Sequence, residues 1–228
     1  MSRSAMLHKI RQACAGGNSV ELPAELPEFP HYSDPVEKFR QELERVGGVF
    51  LDGRRSEELV GALGLVLKES DSTEIYWEGE DLFQRHGISF TLRDPEAFAK
   101  GSLLYSFHFR RQVRFPIILN SKPAERSEVA RISLSASGAR FGIAETGTVV
   151  HEVKAGRGRL LSLLPPAHLV FLSERDLLMN QAMLFLSMPP GRGSALTLVT
   201  GPSRTSDIER TLVVGVHGPG KLFVILTP

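Results

Sequence analysis

Cysteine is almost missing from this sequence: Cys14 stands alone among 228 residues. One thiol closes no intrachain disulfide, and an iron–sulfur cluster normally takes four thiolates, so the chain supplies no ligand set for one. A lone cysteine fits a reducing compartment, and the cytoplasm is the expected location. Cys14 reads as a thiol near the terminus rather than a nucleophile. Long apolar runs are missing too. No stretch approaches the ~18 residues of a membrane-spanning helix. Met1 to Gly17 carries Arg3, Lys9 and Arg11 with no apolar core between them, a poor signal peptide. Charge of one sign is not in excess: 27 basic against 26 acidic residues give +1, which predicts no general attraction to nucleic acid or anionic membrane. There is no internal repeat and no low-complexity tract.

What remains is an ordinary globular composition, 42% apolar and 23% charged. A chain of this length buries enough surface to fold without a disulfide or a metal. Residues 3–14 have the spacing of a short helix that Gly16-Gly17 ends. Pro23, Pro27 and Pro30 then mark an extended linker, so residues 1–33 read as an arm and 34–228 as one α/β domain. Asp34-Pro35 is a helix-opening pair; Val36, Phe39, Leu43 and Val46 repeat at helical spacing until Gly47-Gly48. Val49–Leu51 reads as a strand, Ser56 as the cap of a second helix, Glu74–Trp77 as another strand, and Leu82-Phe83 as part of a short helix. This alternation predicts a parallel sheet with crossover helices. Further strands are expected at 139–144, 148–150, 168–172, 196–200 and 222–226, with a helix over Arg175–Leu186.

Several motifs fail on inspection. Gly215-Val-His-Gly-Pro-Gly-Lys221 matches part of a phosphate-binding loop, but Leu222 stands where a magnesium-binding Ser or Thr belongs, and a strand follows instead of a helix. Gly156-Arg157-Gly158 lacks the third glycine of a dinucleotide fingerprint. The seven histidines form no zinc motif and no close pair in sequence, so no metal site is predicted. Ser203, Asp207 and His217 are the elements of a nucleophile triad, but Ser203 is not in a G-x-S-x-G elbow. Aromatics interleave with Arg110, Arg111 and Arg114 between Tyr105 and Phe115; an amphipathic hairpin or edge strand explains them as well as a nucleic-acid surface does.

Two segments carry better chemistry. Gly142-Ile-Ala-Glu-Thr-Gly-Thr148 puts a carboxylate, hydroxyls and glycines at a strand end. Gly147 can take positive φ and form an amide nest for an anion, to which Thr146 and Thr148 add hydroxyls. Glu145 is then a candidate general base or ligand clamp; a plain hairpin turn with a solvated glutamate fits equally. Thr200-Gly-Pro-Ser-Arg-Thr-Ser-Asp-Ile-Glu209 follows a predicted strand, where ligand loops of open sheets lie. Ser203 or Thr205 can cap a short helix there, and Arg204 can pair with a carboxylate. An ordinary connection ionically tied through Asp207 and Glu209 is the competing reading.

Together with Leu164-Pro-Pro-Ala-His168 and Val213-Val-Gly-Val-His-Gly-Pro-Gly220, these segments make the chain resemble the lactate utilisation protein C group of the LUD-domain family. The likeness is close from about residue 139 onward. Its motif falls on Glu145, Thr146, Gly147, Thr148, Pro166, His168, Gly201, Ser203, Asp207, Glu209, His217 and Gly218. The resemblance implies a Rossmann-like three-layer sandwich with a mostly parallel sheet, of the NagB/RpiA/CoA-transferase-like kind. It also implies a bacterial system oxidising L-lactate to pyruvate, in which iron–sulfur partner subunits carry the clusters and this chain binds none. From residue chemistry, Glu145 is the candidate catalytic group, and Thr146, Gly147, Thr148, Gly201, Ser203, Asp207, His217 and Gly218 are candidates for holding a small anion. A stand-alone enzyme acting on an anionic substrate through Glu145, and a module that senses a carboxylate, are the alternatives.

Overall fold

The computed structural model describes residues 2–15, 28–72, 74–77, 89–92, 104–109, 111–120, 129, 131–153, 160–188, 195–206 and 212–228. In chain order the elements are α1 (Arg3–Ala15), α2 (Pro35–Arg45), β1 (Val49–Asp52), α3 (Ser56–Glu69), β2 (Glu74–Trp77), β3 (Ser89–Leu92), β4 (Leu104–Phe109), β5 (Arg111–Asn120), β6 (Leu134–Gly138), β7 (Phe141–Ile143), β8 (Thr148–Val153), β9 (Ala167–Ser173), β10 (Leu177–Leu178), α4 (Gln181–Ser187), β11 (Ala195–Val199), β12 (Arg204–Ser206), β13 (Leu212–Val214) and β14 (Lys221–Thr227). The expected Leu82-Phe83 helix lies outside the described residues, as do Asp207 and Glu209.

Eight strands form the main sheet in the order β1-β14-β9-β6-β2-β5-β4-β3. The pairs from β1 to β5 are parallel, and only the β5-β4 and β4-β3 pairs are antiparallel. The expected mostly parallel α/β sheet is therefore present. Parallel sheets are covered on both faces, and their inner strands are apolar throughout for that reason. In β9, Leu169 and Phe171 point into one core with Leu59, Leu63 and Val66 of α3. Val170 and Leu172 point the other way, into a second core with Phe39 and Leu43 of α2. The alternation is the two-residue period of a strand, here with both phases apolar.

A second sheet, β10-β7-β8-β11, lies on the α2 side and contributes Val149 to that second core. Its β7-β8 hairpin is built around the Ala144–Gly147 turn. Helix α2 begins as its sequence predicts: Asp34 Oδ1 accepts the Glu37 amide at 3.0 Å, with Pro35 in the first turn. It ends where Gly47 takes φ 85° and the Gly48 amide donates to Leu43 O. Helix α3 begins at Ser56, but its N-cap is Arg55, with no side-chain cap bond.

Two local expectations change. The helix expected over Arg175–Leu186 is a 3-10 turn, then β10, then α4 from Gln181. Leu177 and Leu178 pair in parallel with Gly142 and Ile143, and Asn180 caps the shortened helix by accepting the Met183 amide. Strand pairing overrides helical spacing there. The short helix expected after Ser203 is instead β12, paired antiparallel with β13. Leu104–Phe109 and Arg111–Asn120 pair antiparallel, in line with the hairpin reading of the arginine-rich aromatic stretch, with a register shift between Ser106 and His108. Among the described residues, no helix is long and apolar enough to cross a membrane.

Candidate functional site

Both sequence-predicted loops close on the last turn of α2. At Gly147 the φ is +63°, and a Cβ there would lie 2.6 Å from Glu42 C and nearer still to the Leu43 amide nitrogen. At Gly201 the φ is +79°, and a Cβ would lie 2.8 Å from Val46 Cγ2 and Val46 O. Glycine is required at both points by backbone conformation and by close backbone approach. The Arg204 guanidinium lies over Gly47, its Cζ 3.4 Å from where a Cβ would stand. A cation at the carboxyl end of a helix faces the negative end of its dipole.

A line of three hydroxyls joins the loops. Thr146 Oγ1 is 2.7 Å from Thr148 Oγ1, which is 2.7 Å from Thr200 Oγ1. Thr148 is buried and Thr200 is exposed. Each hydroxyl owns one hydrogen. The two links use two of the three, so one O–H of the line is left to donate to an acceptor.

Glu145 turns elsewhere. Its amide donates to Met179 O at 3.0 Å, and its Oε2 accepts the Gln181 amide at 3.2 Å in the first turn of α4. A carboxylate at a helix N-terminus is favourable. Glu145 therefore ties the β7-β8 turn to α4, and no hydrogen bond connects it to the threonines.

The second loop joins a third. Ser203 N donates to Pro219 O at 2.8 Å, and Ser203 O accepts Gly215 N at 2.9 Å. Gly218 abuts Ser203: a Cβ on it would lie 3.2 Å from Ser203 Cβ. Gly220 N donates to Pro166 O at 2.9 Å. Segments 160–166, 201–203 and 215–220 thus meet where β9 and β14 begin, with His217 exposed. Around them Leu160, Leu163, Leu164, Val214 and Val216 are all exposed. This is the amino end of the parallel strands. The expectation that Gly201 follows a strand of the open sheet fails, because β11 belongs to the small sheet. At the opposite, carboxyl end lies an open cleft of about 600 Å³ between α2 and Asp52, Arg54 and Glu174; none of the predicted site residues lines it.

The sequence reading missed a buried polar cluster between the two sheets. His168 of β9 is buried, with Nδ1 2.7 Å from Ser135 Oγ and Nε2 2.8 Å from Ser137 Oγ. Ser135 Oγ also lies 2.6 Å from Leu161 O, which only accepts. The Ser135 hydrogen goes to that carbonyl, so His168 Nδ1 donates to Ser135 and Nε2 accepts from Ser137. This fixes a neutral tautomer. His151 of β8 stacks edge-on at 5.8 Å between ring centroids. Its Nδ1 donates to Gly138 O at 3.4 Å, and its Nε2 is buried with no partner among the described residues. Burial pushes His151 down to about 4, against the opposing bond to Gly138. Burial, and then proximity to His151, push His168 down to about 3. Both imidazoles are neutral at physiological pH. The only sequence trace of this cluster is a histidine inside an otherwise apolar strand. Among the described residues no group of three metal-ligating side chains occurs.

Comparison with known proteins gives the geometry a family. The LUD domain profile matches residues 36–227. Among curated relatives, the lactate utilization protein C of Shouchella clausii is 35% identical over 112 residues, 47% of this chain and 48% of that protein. That of Deinococcus radiodurans is 32% identical over 117 residues, 50% of this chain and 55% of that protein. The chain spans about half the length of these two relatives. It spans 95% of the lactate utilization protein C of Bacillus pumilus, with 98% of its own length, at 26% identity. A DUF162 family protein of Deinococcus radiodurans superposes with a TM-score of 0.50 over 85% of this chain and 96% of that one, at 20% identity, a likeness of fold. With the match running from α2 to the end of β14, the chain belongs to the LUD-domain family.

Proposed function

We propose that this chain serves bacterial lactate utilisation in the cytoplasm as the subunit that carries no redox centre. Partner subunits with iron–sulfur clusters take the two electrons that leave L-lactate as it becomes pyruvate, and two protons are released. The likeness to proteins named lactate utilization protein C supports the setting. The single cysteine supports the division of labour, because one thiolate cannot anchor a cluster. The exposed apolar side chains around His217 suit a docking face.

One observation carries the reading of the site: the Thr146–Thr148–Thr200 line holds a hydroxyl hydrogen for an acceptor, while the Glu145 carboxylate accepts the Gln181 amide at the start of α4. This arrangement binds a small carboxylate rather than removing a proton from it. Thr146, Thr148 and Thr200 form the anion subsite, and Ser203, His217 and Gly218 form its neighbour across Gly201. A sensing role draws on the same geometry, since an anion bridging both loops would be felt at the last turn of α2. Calorimetric titration with L-lactate and with pyruvate tests the subsite. Binding that is lost in Thr148→Val and kept in Thr148→Ser supports it; equal binding by wild type and Thr148→Val removes it.

A further inference from the structure

The +1 net charge conceals a segregation. Helix α1 carries Arg3, Lys9 and Arg11 and no acidic residue. The cleft at the carboxyl end of the sheet presents the carboxylates of Asp34, Glu37, Glu44, Asp52 and Glu174 against two guanidiniums, Arg40 and Arg54. Both guanidiniums are already engaged: Arg54 holds Asp52 at 2.6 Å and Glu174 at 3.1 Å, and Arg40 holds Glu37 at 3.0 Å. Five carboxylates against two cations leave three net negative charges, which equals the positive charge of α1. The cleft also has an apolar floor of Val36 and Phe50.

Helix α1 is poorly built to stand alone. Residues 2–12 are all exposed. Met6, Leu7 and Ile10 are 54%, 44% and 52% exposed and fall within roughly 100° of one another around the helix, with Arg3 on the same face one turn earlier and Arg11 flanking it. Isolated helices of 12–15 residues are marginal in water. A cation in the first turn, where α1 has Arg3 and no acid, opposes the helix dipole. Such a helix gains its stability by laying its apolar stripe on another surface.

We infer that α1 docks in the acidic cleft of a second copy of this chain, forming a dimer by exchange of arms. The stripe of Met6, Leu7 and Ile10 covers Val36 and Phe50, and the three cations meet the carboxylates on the rim. Nineteen residue steps separate Ala15 from Asp34, which itself lines the cleft. At roughly 3.3–3.6 Å per residue the tether reaches up to ~65 Å, enough to cross to a neighbour. When each copy seats its arm in the cleft of the other, the exchange is reciprocal and closes as a twofold dimer.

Sedimentation velocity on the full chain, over a wide concentration range, tests the inference. The wild-type chain sediments as a dimer, and its mass halves in R3E/K9E/R11E and, separately, in E44K/E174K. Added salt weakens the dimer, because the contact is charge-steered. Mixing the two charge-reversed variants restores a dimer. The arm substitutions lie at exposed positions, so an unchanged circular dichroism spectrum is expected and is checked. A monomeric wild-type chain overturns the inference. So does a dimer indifferent to either reversal, and so does a mixture of the two variants that stays monomeric.

Discussion

The hydroxyl of Thr148 lies 2.7 Å from that of Thr200, fifty-two residues further along the chain. This contact makes one structure of two loops that the sequence presents separately. It also places Thr148 at the centre of the proposed anion subsite. Replacing Thr148 by valine keeps shape and burial but removes both links. Unfolding in urea should show a loss of about 1–3 kcal/mol, the net worth of two hydrogen bonds. Thr148→Ser should recover most of it. A valine variant as stable as wild type would mean that the line contributes nothing to the fold.

Gly147 should tolerate no side chain. Its φ of +63° and its approach to the backbone of Glu42 and Leu43 leave no room for a methyl group. Gly147→Ala is expected to lose roughly 2–4 kcal/mol, from strain and overpacking together. Gly220 is the control: a Cβ there meets its nearest atoms at 3.6 and 3.8 Å, ordinary contact distance. Gly220→Ala should change stability by less than ~0.5 kcal/mol. Urea midpoints of the two variants, measured side by side, check the contrast.

The buried imidazoles predict an acid limb. Both are harder to protonate folded than unfolded, so the unfolded chain binds more protons below the ordinary histidine range. Stability is then level above about pH 6.5 and falls as pH drops, towards about 4 for His151 and about 3 for His168. The slope is about 1.4 kcal/mol per pH unit for each imidazole. Glu37 and Glu42 are held below their usual range by Arg40 and Lys38, so their contribution is lost only at lower pH. The interval just below pH 6.5 therefore reports the histidines. In His151→Leu the slope in that interval should fall by one proton's worth. An identical slope in wild type and variant would show that His151 is not buried neutral.

Glu145→Gln separates the two roles open to that residue. At the amino end of α4 it loses charge but keeps an acceptor for the Gln181 amide, a cost of about 0.3–1 kcal/mol. Lactate oxidation by the assembled system should then stay within twofold of wild type. Abolished turnover in a folded variant would restore Glu145 as an acid–base group.

Much of the fold was legible because its signals are local. Asp34-Pro35 and Gly47-Gly48 bound α2 by capping chemistry, and the apolar runs 167–173 and 221–227 are central strands covered on both faces. What the sequence leaves open turns on tertiary partners. Leu177-Leu178 has the spacing of a helix until β7 offers a strand to pair with. The Gln181 amide in front of the Glu145 carboxylate belongs to a helix thirty-six positions away, beyond any local spacing rule. The positive φ at Gly147 is a local reading, and the backbone of α2 passing beside it is not. His151 and His168 are seventeen positions apart, on strands of different sheets, so no spacing rule brings them together.

The proposed division of labour, in which this chain works in lactate oxidation only with cluster-bearing partners, is measurable as lactate-dependent dye reduction with purified components, leaving out one at a time. No turnover is expected from this chain alone, turnover from the complete set, and its loss when this chain is left out. Lactate oxidised by the chain alone, or by the iron–sulfur subunits without it, would rule the division out.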